Sequence, residues 1–213
     1  RYDEAWMLMN QALDIAIQID SKRQIVACHK QLYYLCREFK RMMNERGDEQ
    51  ASTLFFRESL LHEMYFSEKP RLAELTVRYE ALRCDIMQQY YMNKDYDNVI
   101  RIATSLDFHD DADPNASCLV YYYKAQAYVK LENYPMAKEA FFRELELRKK
   151  YLGWEEEDTI LACQNLGVLH SFCNEREEAL ACFREAYGYE VKKNGEDSEM
   201  AQKLLQYISV VES

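Results

Sequence analysis

The 213-residue sequence contains few of the residues that turn a chain or end a helix, with only five glycines and three prolines. β-Branched residues are sparse beside leucine, alanine, methionine, glutamate, glutamine, lysine and arginine. This composition favours helix formers and disfavours a sheet-rich fold. It predicts helices along the whole chain, joined by short turns.

Positive charge is also scarce: the sequence has 27 lysines and arginines and 37 aspartates and glutamates, for a net charge of −10. Affinity for the phosphate backbone depends on clustered lysine and arginine, so the balance excludes a general nucleic-acid binder. It favours a basic or neutral partner. No stretch of roughly 18 apolar residues occurs, so no membrane span is expected.

The sequence begins at Arg1 instead of methionine and shows no signal peptide. We therefore expect a piece of a longer protein, located in the cytoplasm. An export signal removed before Arg1 would instead place the chain in the periplasm.

The motifs of the common enzyme classes are missing. The sequence has no phosphate-binding glycine loop, no dinucleotide fingerprint, no GxSxG and no HExxH. Its seven cysteines form no CxxC pair and do not suggest a disulfide framework, so free thiols in a reducing compartment are predicted. We expect no catalytic residues, no cofactor and no enzyme activity.

One window, residues 162–186 (ACQNLGVLHSFCNEREEALACFREA), contains candidate zinc ligands in Cys163, His170, Cys173 and Cys182. The spacings of nine and ten residues between its cysteines are not those of zinc sites. These side chains are predicted to pack between helices, and no metal is expected.

The acidic loop at residues 107–115 is the other metal candidate. Asp111, Asp113 and Asn115 resemble the first ligands of a calcium loop, but Ala116 replaces the turn glycine and Tyr122 the bidentate glutamate. We predict instead that Asp113 caps a helix that begins at Pro114.

The C-terminal half repeats itself at an offset of 42 residues, and the same offset carries Ala162 onto Leu204, so a third copy begins before Ser213. Such fixed-period similarity is the signature of repeat architectures. Each copy is predicted to be a helix, a short turn and a second helix, with Gly153 and Gly195 at helix ends. The matching pairs are Ala125 with Gly167, Ala137 with Ala179, Phe141 with Phe183 and Gly153 with Gly195.

This pattern resembles the tetratricopeptide repeat, and its spacing is similar to that of kinesin light chains and related bacterial arrays. The second copy also has the NLG hallmark at Asn165, Leu166 and Gly167. At the family's small and aromatic places the first copy has Ala125, Tyr128, Ala137, Phe141 and, where alanine is frequent, Glu144. The second copy has Gly167, His170, Ala179, Phe183 and Ala186.

The N-terminal half matches the pattern less closely. Residues 2–16 predict one helix with Ala5, Met9 and Ala12 as its packing stripe, and a hairpin is expected to turn near Gly47. A second hairpin follows within residues 70–106. The fold class predicted is all-α: a right-handed α-solenoid of about ten helices over residues 1–213, with divergent repeats at 1–107 and clear ones at 115–213.

The resemblance implies that the first helix of each hairpin lines a concave groove in which a peptide binds. In the family an asparagine at the place of Asn165 commonly contacts the peptide backbone. The groove would be rich in amides and aromatic rings, which suits an extended or helical peptide. The residues at groove positions are Gln88, Tyr122, Tyr123, Gln126, Gln164, Asn165, Val168 and Phe172.

Two functions are consistent with the sequence. The first is a non-enzymatic scaffold that binds a partner protein or peptide in the groove. The second is the ligand- or peptide-sensing part of a multidomain regulator, attached to a kinase or a transcription regulator.

Overall fold

A computed structural model describes residues 2–71, 79–104, 113–153 and 156–213. In these ranges the chain forms ten helices and no strand, so the all-α prediction and its helix count are confirmed. The helices are α1 (Tyr2–Gln18), α2 (Lys22–Glu45), α3 (Glu49–Glu63), α4 (Tyr79–Met92), α5 (Tyr96–Thr104), α6 (Pro114–Lys130), α7 (Tyr134–Tyr151), α8 (Glu157–Phe172), α9 (Arg176–Asn194) and α10 (Glu199–Glu212).

The chain divides into two compact units, Arg1–Asp107 and Phe108–Ser213. The N-terminal unit contains α1 to α5 and the C-terminal unit α6 to α10. Within each unit every helix packs against the next one in sequence, which is the packing of a helical-repeat solenoid. One continuous solenoid over all 213 residues stays a prediction.

Three turns between consecutive helices share one backbone geometry. The central residue of each, Lys94, Glu132 or Asn174, has a φ of 60°. In each turn the next amide bonds the carbonyl five residues before it at 2.9 Å, as in a Schellman motif. Glu132 and Asn174 are 42 residues apart, so the sequence period is also a period of the backbone.

The helix boundaries predicted in the C-terminal half are confirmed. Asp113 accepts a hydrogen bond from the Ala116 amide at 3.2 Å, and Pro114 is the first residue of α6. Gly153 and Gly195 follow α7 and α9 with φ values of 83° and 88°, a left-handed conformation that glycine adopts without strain. Of the proposed calcium-like loop, residues 107–112 lie outside the described residues.

The small residues of the repeat lie where two helices approach closely. Ala125, Ala137 and Ala179 are fully buried, and the rings of Phe141 and Phe183 fill the space beside them. This packing is the one that the repeat pattern predicts. The turn at Gly47, with a φ of 74°, likewise falls where it was expected.

The packing stripe predicted for α1 is displaced by one residue. Asn10, Leu13 and Ala16 are the buried residues, whereas Ala5, Met9 and Ala12 are half-buried. The cause is Trp6, whose ring packs edge-on against both Phe39 and Phe55, at 5.6 and 6.3 Å between centroids. This large aromatic contact sets the rotation of α1 about its axis.

Candidate functional site

Four of the predicted groove residues line one hollow of about 240 Å³ in the C-terminal unit, here called the first hollow. They are Gln126 on α6 and Asn165, Val168 and Phe172 on α8. The three on α8 are three and four residues apart, so they share one face of the helix. The complete lining is Gln126, Val129, Tyr134, Phe141, Asn165, Val168, Leu169 and Phe172.

The first hollow combines an apolar wall with two free amides. Val168 and Phe172 are 42% and 65% exposed, and the Phe172 ring contacts the Tyr134 ring, with 5.1 Å between centroids and 58° between the ring planes. Among the described residues, the side chains of Gln126 and Asn165 have no hydrogen-bond partner. Such a surface can bury an apolar group while its amides bond a polar backbone.

Gly167 holds α8 in the position that forms this hollow. It lies on the face of α8 that contacts α9, and a β-carbon added there would lie 2.8 Å from the Phe183 ring. Because only glycine permits so close an approach, this contact sets the distance between α8 and α9.

A second hollow of about 400 Å³ begins on the other side of Asn165. Tyr122 and Gln164, two further predicted residues, line it, and Asn165 lines both hollows. The full set is Leu119, Tyr122, Glu144, Arg148, Asp158, Leu161, Ala162, Gln164, Asn165 and Lys203.

The second hollow contains a buried ion pair. The Arg148 Nε donates to Glu144 Oε1 at 2.8 Å, and the Arg148 Nη1 lies 3.3 Å from Asp158 Oδ2. Burial raises the pKa of Glu144 to about 7, against the lowering effect of Arg148. Within the part of the chain that the structure describes, Glu144 Oε2 and Gln164 Oε1 are buried acceptors without a partner.

These two acceptors suit a ligand that brings N–H donors, because a buried acceptor without a partner costs free energy that a bound donor recovers. Sequence reasoning did not select Glu144, Arg148, Asp158 or Lys203 as groove residues, and it named Glu144 only as a position of the repeat. The spacing of four between Glu144 and Arg148 was the visible signal of a helical ion pair. Asp158 and Lys203 are brought to the hollow by the packing of α8 and α10 and carry no local signal.

Two predicted residues lie outside both hollows. Tyr123 is half-buried and its ring packs edge-on against Tyr122 at 5.3 Å between centroids. Gln88 belongs to the N-terminal unit, where it is exposed and lines a separate hollow of about 420 Å³ with Gln50, Arg57 and Asp85.

The cysteines and histidine of residues 162–186 do not form one cluster, although Cys163 and Cys182 are neighbours. Cys163 Sγ lies 3.3 Å from the Cys182 carbonyl oxygen in the interface of α8 and α9. His170 Nδ1 is instead 2.6 Å from Glu175 Oε2, and Glu175 also pairs with Lys138. All seven cysteines are free thiols. His170 thus takes part in a half-buried polar chain and does not fill the core as its repeat position predicts.

Comparison with known proteins finds a solved structure with a similar fold. The chain resembles the crystal structure of BtubC (BKLC) from P. vanneervenii with a TM-score of 0.56 and 14% identity, over 99% of this chain and 83% of that one. The likeness supports the helical-repeat solenoid fold. No family model and no curated protein matches the sequence. Within the described residues, no helix is long and apolar enough to cross a membrane.

Proposed function

We propose that this chain is a non-enzymatic scaffold of the tetratricopeptide type that binds a partner peptide across the two hollows of its C-terminal unit. The observation that supports this function best is the convergence of Gln126, Asn165, Val168 and Phe172 on the first hollow. These residues come from different helices, and the resemblance assigns all four to the peptide groove.

The first hollow would take one apolar side chain of the partner. A cavity of about 150 Å³ is enough to hold benzene, and this hollow measures about 240 Å³. Removing an exposed phenylalanine and a valine from water supplies the hydrophobic contribution to binding. The amides of Gln126 and Asn165 would then bond the partner's backbone on either side of that anchor.

The second hollow would take a side chain with N–H donors, such as lysine, arginine or an amide. Glu144 Oε2 and Gln164 Oε1 offer acceptors there, and Asp158 adds a carboxylate at the rim. The net charge of −10 gives long-range attraction for a basic partner. We therefore propose an apolar residue beside a donor-bearing residue as the recognised feature.

A displayed library of random peptides, selected on the 213-residue protein, tests this function. Fluorescence anisotropy of the enriched peptides should show that Asn165→Ala and Phe172→Ala each weaken binding by at least about tenfold, or about 1.4 kcal/mol. Phe142→Ala is the matched control, because Phe142 is 54% exposed and lines neither hollow. The proposal fails if no peptide is enriched, or if the enriched peptides bind both groove variants as they bind the parent protein.

Ligand sensing within a larger regulator stays an alternative prediction. The sequence adjoining residues 1 and 213 in the full gene discriminates the two: an output domain such as a kinase favours sensing, and further repeats favour a scaffold.

A further inference from the structure

A cluster of buried polar side chains lies in the core of the N-terminal unit. Cys36 comes from α2, and Glu58 and His62 come from α3, where a spacing of four residues puts them on one face. Their exposed fractions are 0%, 0% and 1%. Three groups of this chemistry, enclosed together, are the types that bind zinc in proteins.

The donor atoms of these three residues are close enough to share one ion. The Cys36 sulfur, a Glu58 carboxylate oxygen and a His62 ring nitrogen all lie within 4.8 Å of one another. Glu58 Oε1 and His62 Nε2 are 3.6 Å apart. Zinc bonds of about 2.0 to 2.3 Å in a tetrahedron put neighbouring donors about 3.4 to 3.6 Å apart. Glu58 Oε1 and His62 Nε2 already have this separation, and the Cys36 sulfur lies within 4.8 Å of the other donors and would move closer to bind the same cation.

The contact between His29 and His62 shows which nitrogen of His62 is available to bind a metal. The Nδ1 atoms of His29 and His62 are 2.9 Å apart, so one ring donates this hydrogen to the other. The Nε2 of His62 is buried and, within the described ranges, has no hydrogen-bond partner. When His62 donates from Nδ1, its Nε2 presents a lone pair towards the Glu58 carboxylate, an arrangement that a cation between them would stabilise.

The carboxylate of Glu58 is held by two neighbouring side chains. The Tyr90 hydroxyl donates to Glu58 Oε2 at 2.5 Å, and the Arg101 guanidinium pairs with Oε1. The hydrogen bond from Tyr90 orients the carboxylate towards the cluster, as polar contacts to a metal ligand do.

We propose that Cys36, Glu58 and His62 form a zinc-binding site, with His29 and Tyr90 orienting the ligands and a water completing the coordination. Binding replaces the thiol proton of Cys36 by the metal, so Zn²⁺ and Cys–SH give a Cys–S–Zn bond and release one H⁺. The thiolate, imidazole and carboxylate donor set is one that zinc accepts. This site departs from the sequence-based expectation of no metal.

The charges of Glu58 and Arg101 determine how strongly the site binds zinc. Arg101 already neutralises Glu58, so its guanidinium repels the incoming dication across a buried space. Replacing it with the shorter, neutral side chain of Arg101→Gln should strengthen zinc binding, although it destabilises the zinc-free protein. A purely structural ion pair would show the loss of stability without any gain in metal affinity.

Cobalt titration of the chelator-treated protein tests the site directly. We expect a thiolate-to-cobalt absorption band in the near ultraviolet and visible bands of a tetrahedral site, all removed by one equivalent of Zn²⁺. Cys36→Ser should abolish the near-ultraviolet band. Cys28→Ser should keep it, because Cys28 is a half-buried thiol of α2 outside the cluster. Affinity should rise about tenfold per pH unit while one proton is released.

The wild-type protein alone can overturn the proposal, so the test does not depend on whether the variants fold. If the folded, chelated protein shows no thiolate band with millimolar Co²⁺ and no rise in Tm with Zn²⁺, the site does not exist. A band that persists in Cys36→Ser would equally overturn it.

Discussion

Gly167 faces Phe183 so closely that an added β-carbon would lie 2.8 Å from the Cε1 atom of the ring and 3.0 Å from the Cys182 β-carbon. Phe183 is 1% exposed and cannot turn away without opening the core. The pair fixes the spacing of α8 and α9, and so the position of the candidate groove.

Gly167→Ala should therefore reduce the free energy of unfolding by roughly 1 to 3 kcal/mol, because the added methyl overpacks the interface. Gly188→Ala is the control in the adjacent helix, where an added β-carbon meets nothing within 4 Å. It should stabilise by about 0.5 to 1 kcal/mol through helix propensity. Urea unfolding measures both, and equal effects of the two variants would contradict the close contact.

The raised pKa of Glu144 predicts a specific pH dependence. Its folded pKa of about 7 exceeds the unfolded value of 4.5. Between these two values the folded state therefore binds more protons, and stability falls as the pH rises from 4.5 through 7. The contribution is about 3 kcal/mol over this range.

Unfolding of Glu144→Gln, measured from pH 5 to 8, should lack this contribution. Glu146→Gln is the control, since Glu146 is an exposed residue of the same helix that pairs with Arg143. If the difference in stability between the parent protein and Glu144→Gln does not change across this pH range, the carboxyl is not perturbed.

The turn residue Glu132 predicts a stabilising substitution. Its φ of 60° is left-handed, a conformation that costs an ordinary residue roughly 1 kcal/mol and costs glycine little. Glu132→Gly should raise the Tm. Glu139→Gly, at an exposed position inside α7, should lower the Tm, because glycine within a helix costs about 1 kcal/mol of stability. A lower Tm for both variants would contradict the turn geometry.

Cys182 should react with alkylating agents before Cys163. The Cys163 thiol lowers the pKa of Cys182 by hydrogen bonding, and the same contact, together with burial, raises the pKa of Cys163. Mass spectrometry after limited iodoacetamide treatment at pH 7 gives the order, because the thiolate is the reactive form. Cys163→Ala should slow the labelling of Cys182. Earlier modification of Cys163 would contradict this prediction.

The sequence was sufficient for several features that depend on neighbours along one helix or on the repeat. Gly167 and Phe183 are fixed by the 42-residue period, and Asn165, Val168 and Phe172 converge because spacings of three and four share a helix face. Two of the predicted groove residues, Tyr123 and Gln88, line neither of the two hollows. Their contacts are set by the packing of whole helices, which a motif position alone does not determine.

Long-range polar contacts could not be predicted from the sequence. The spacing of Glu58 and His62 is visible in the letters ESLLH, but Arg101 is 43 residues away from Glu58 and Cys36 lies on another helix. Only the assembled unit shows that these groups share one site. The displaced stripe of α1 has a similar cause, because Trp6 meets Phe55 from α3 as well as its sequence neighbour α2.

Arrays of helix hairpins usually lose structure from their ends, since each hairpin is supported only by the next. The N-terminal unit has a cross-connection that changes this expectation, because Arg101 of α5 reaches Glu58 of α3 and Asn10 of α1. Melting α5 would leave the Glu58 carboxylate buried without its guanidinium, and melting α1 would take the Asn10 amide and the Trp6 ring away from Arg101. The first and last helices of this unit should therefore exchange their amide hydrogens in a single cooperative opening, without gradual fraying.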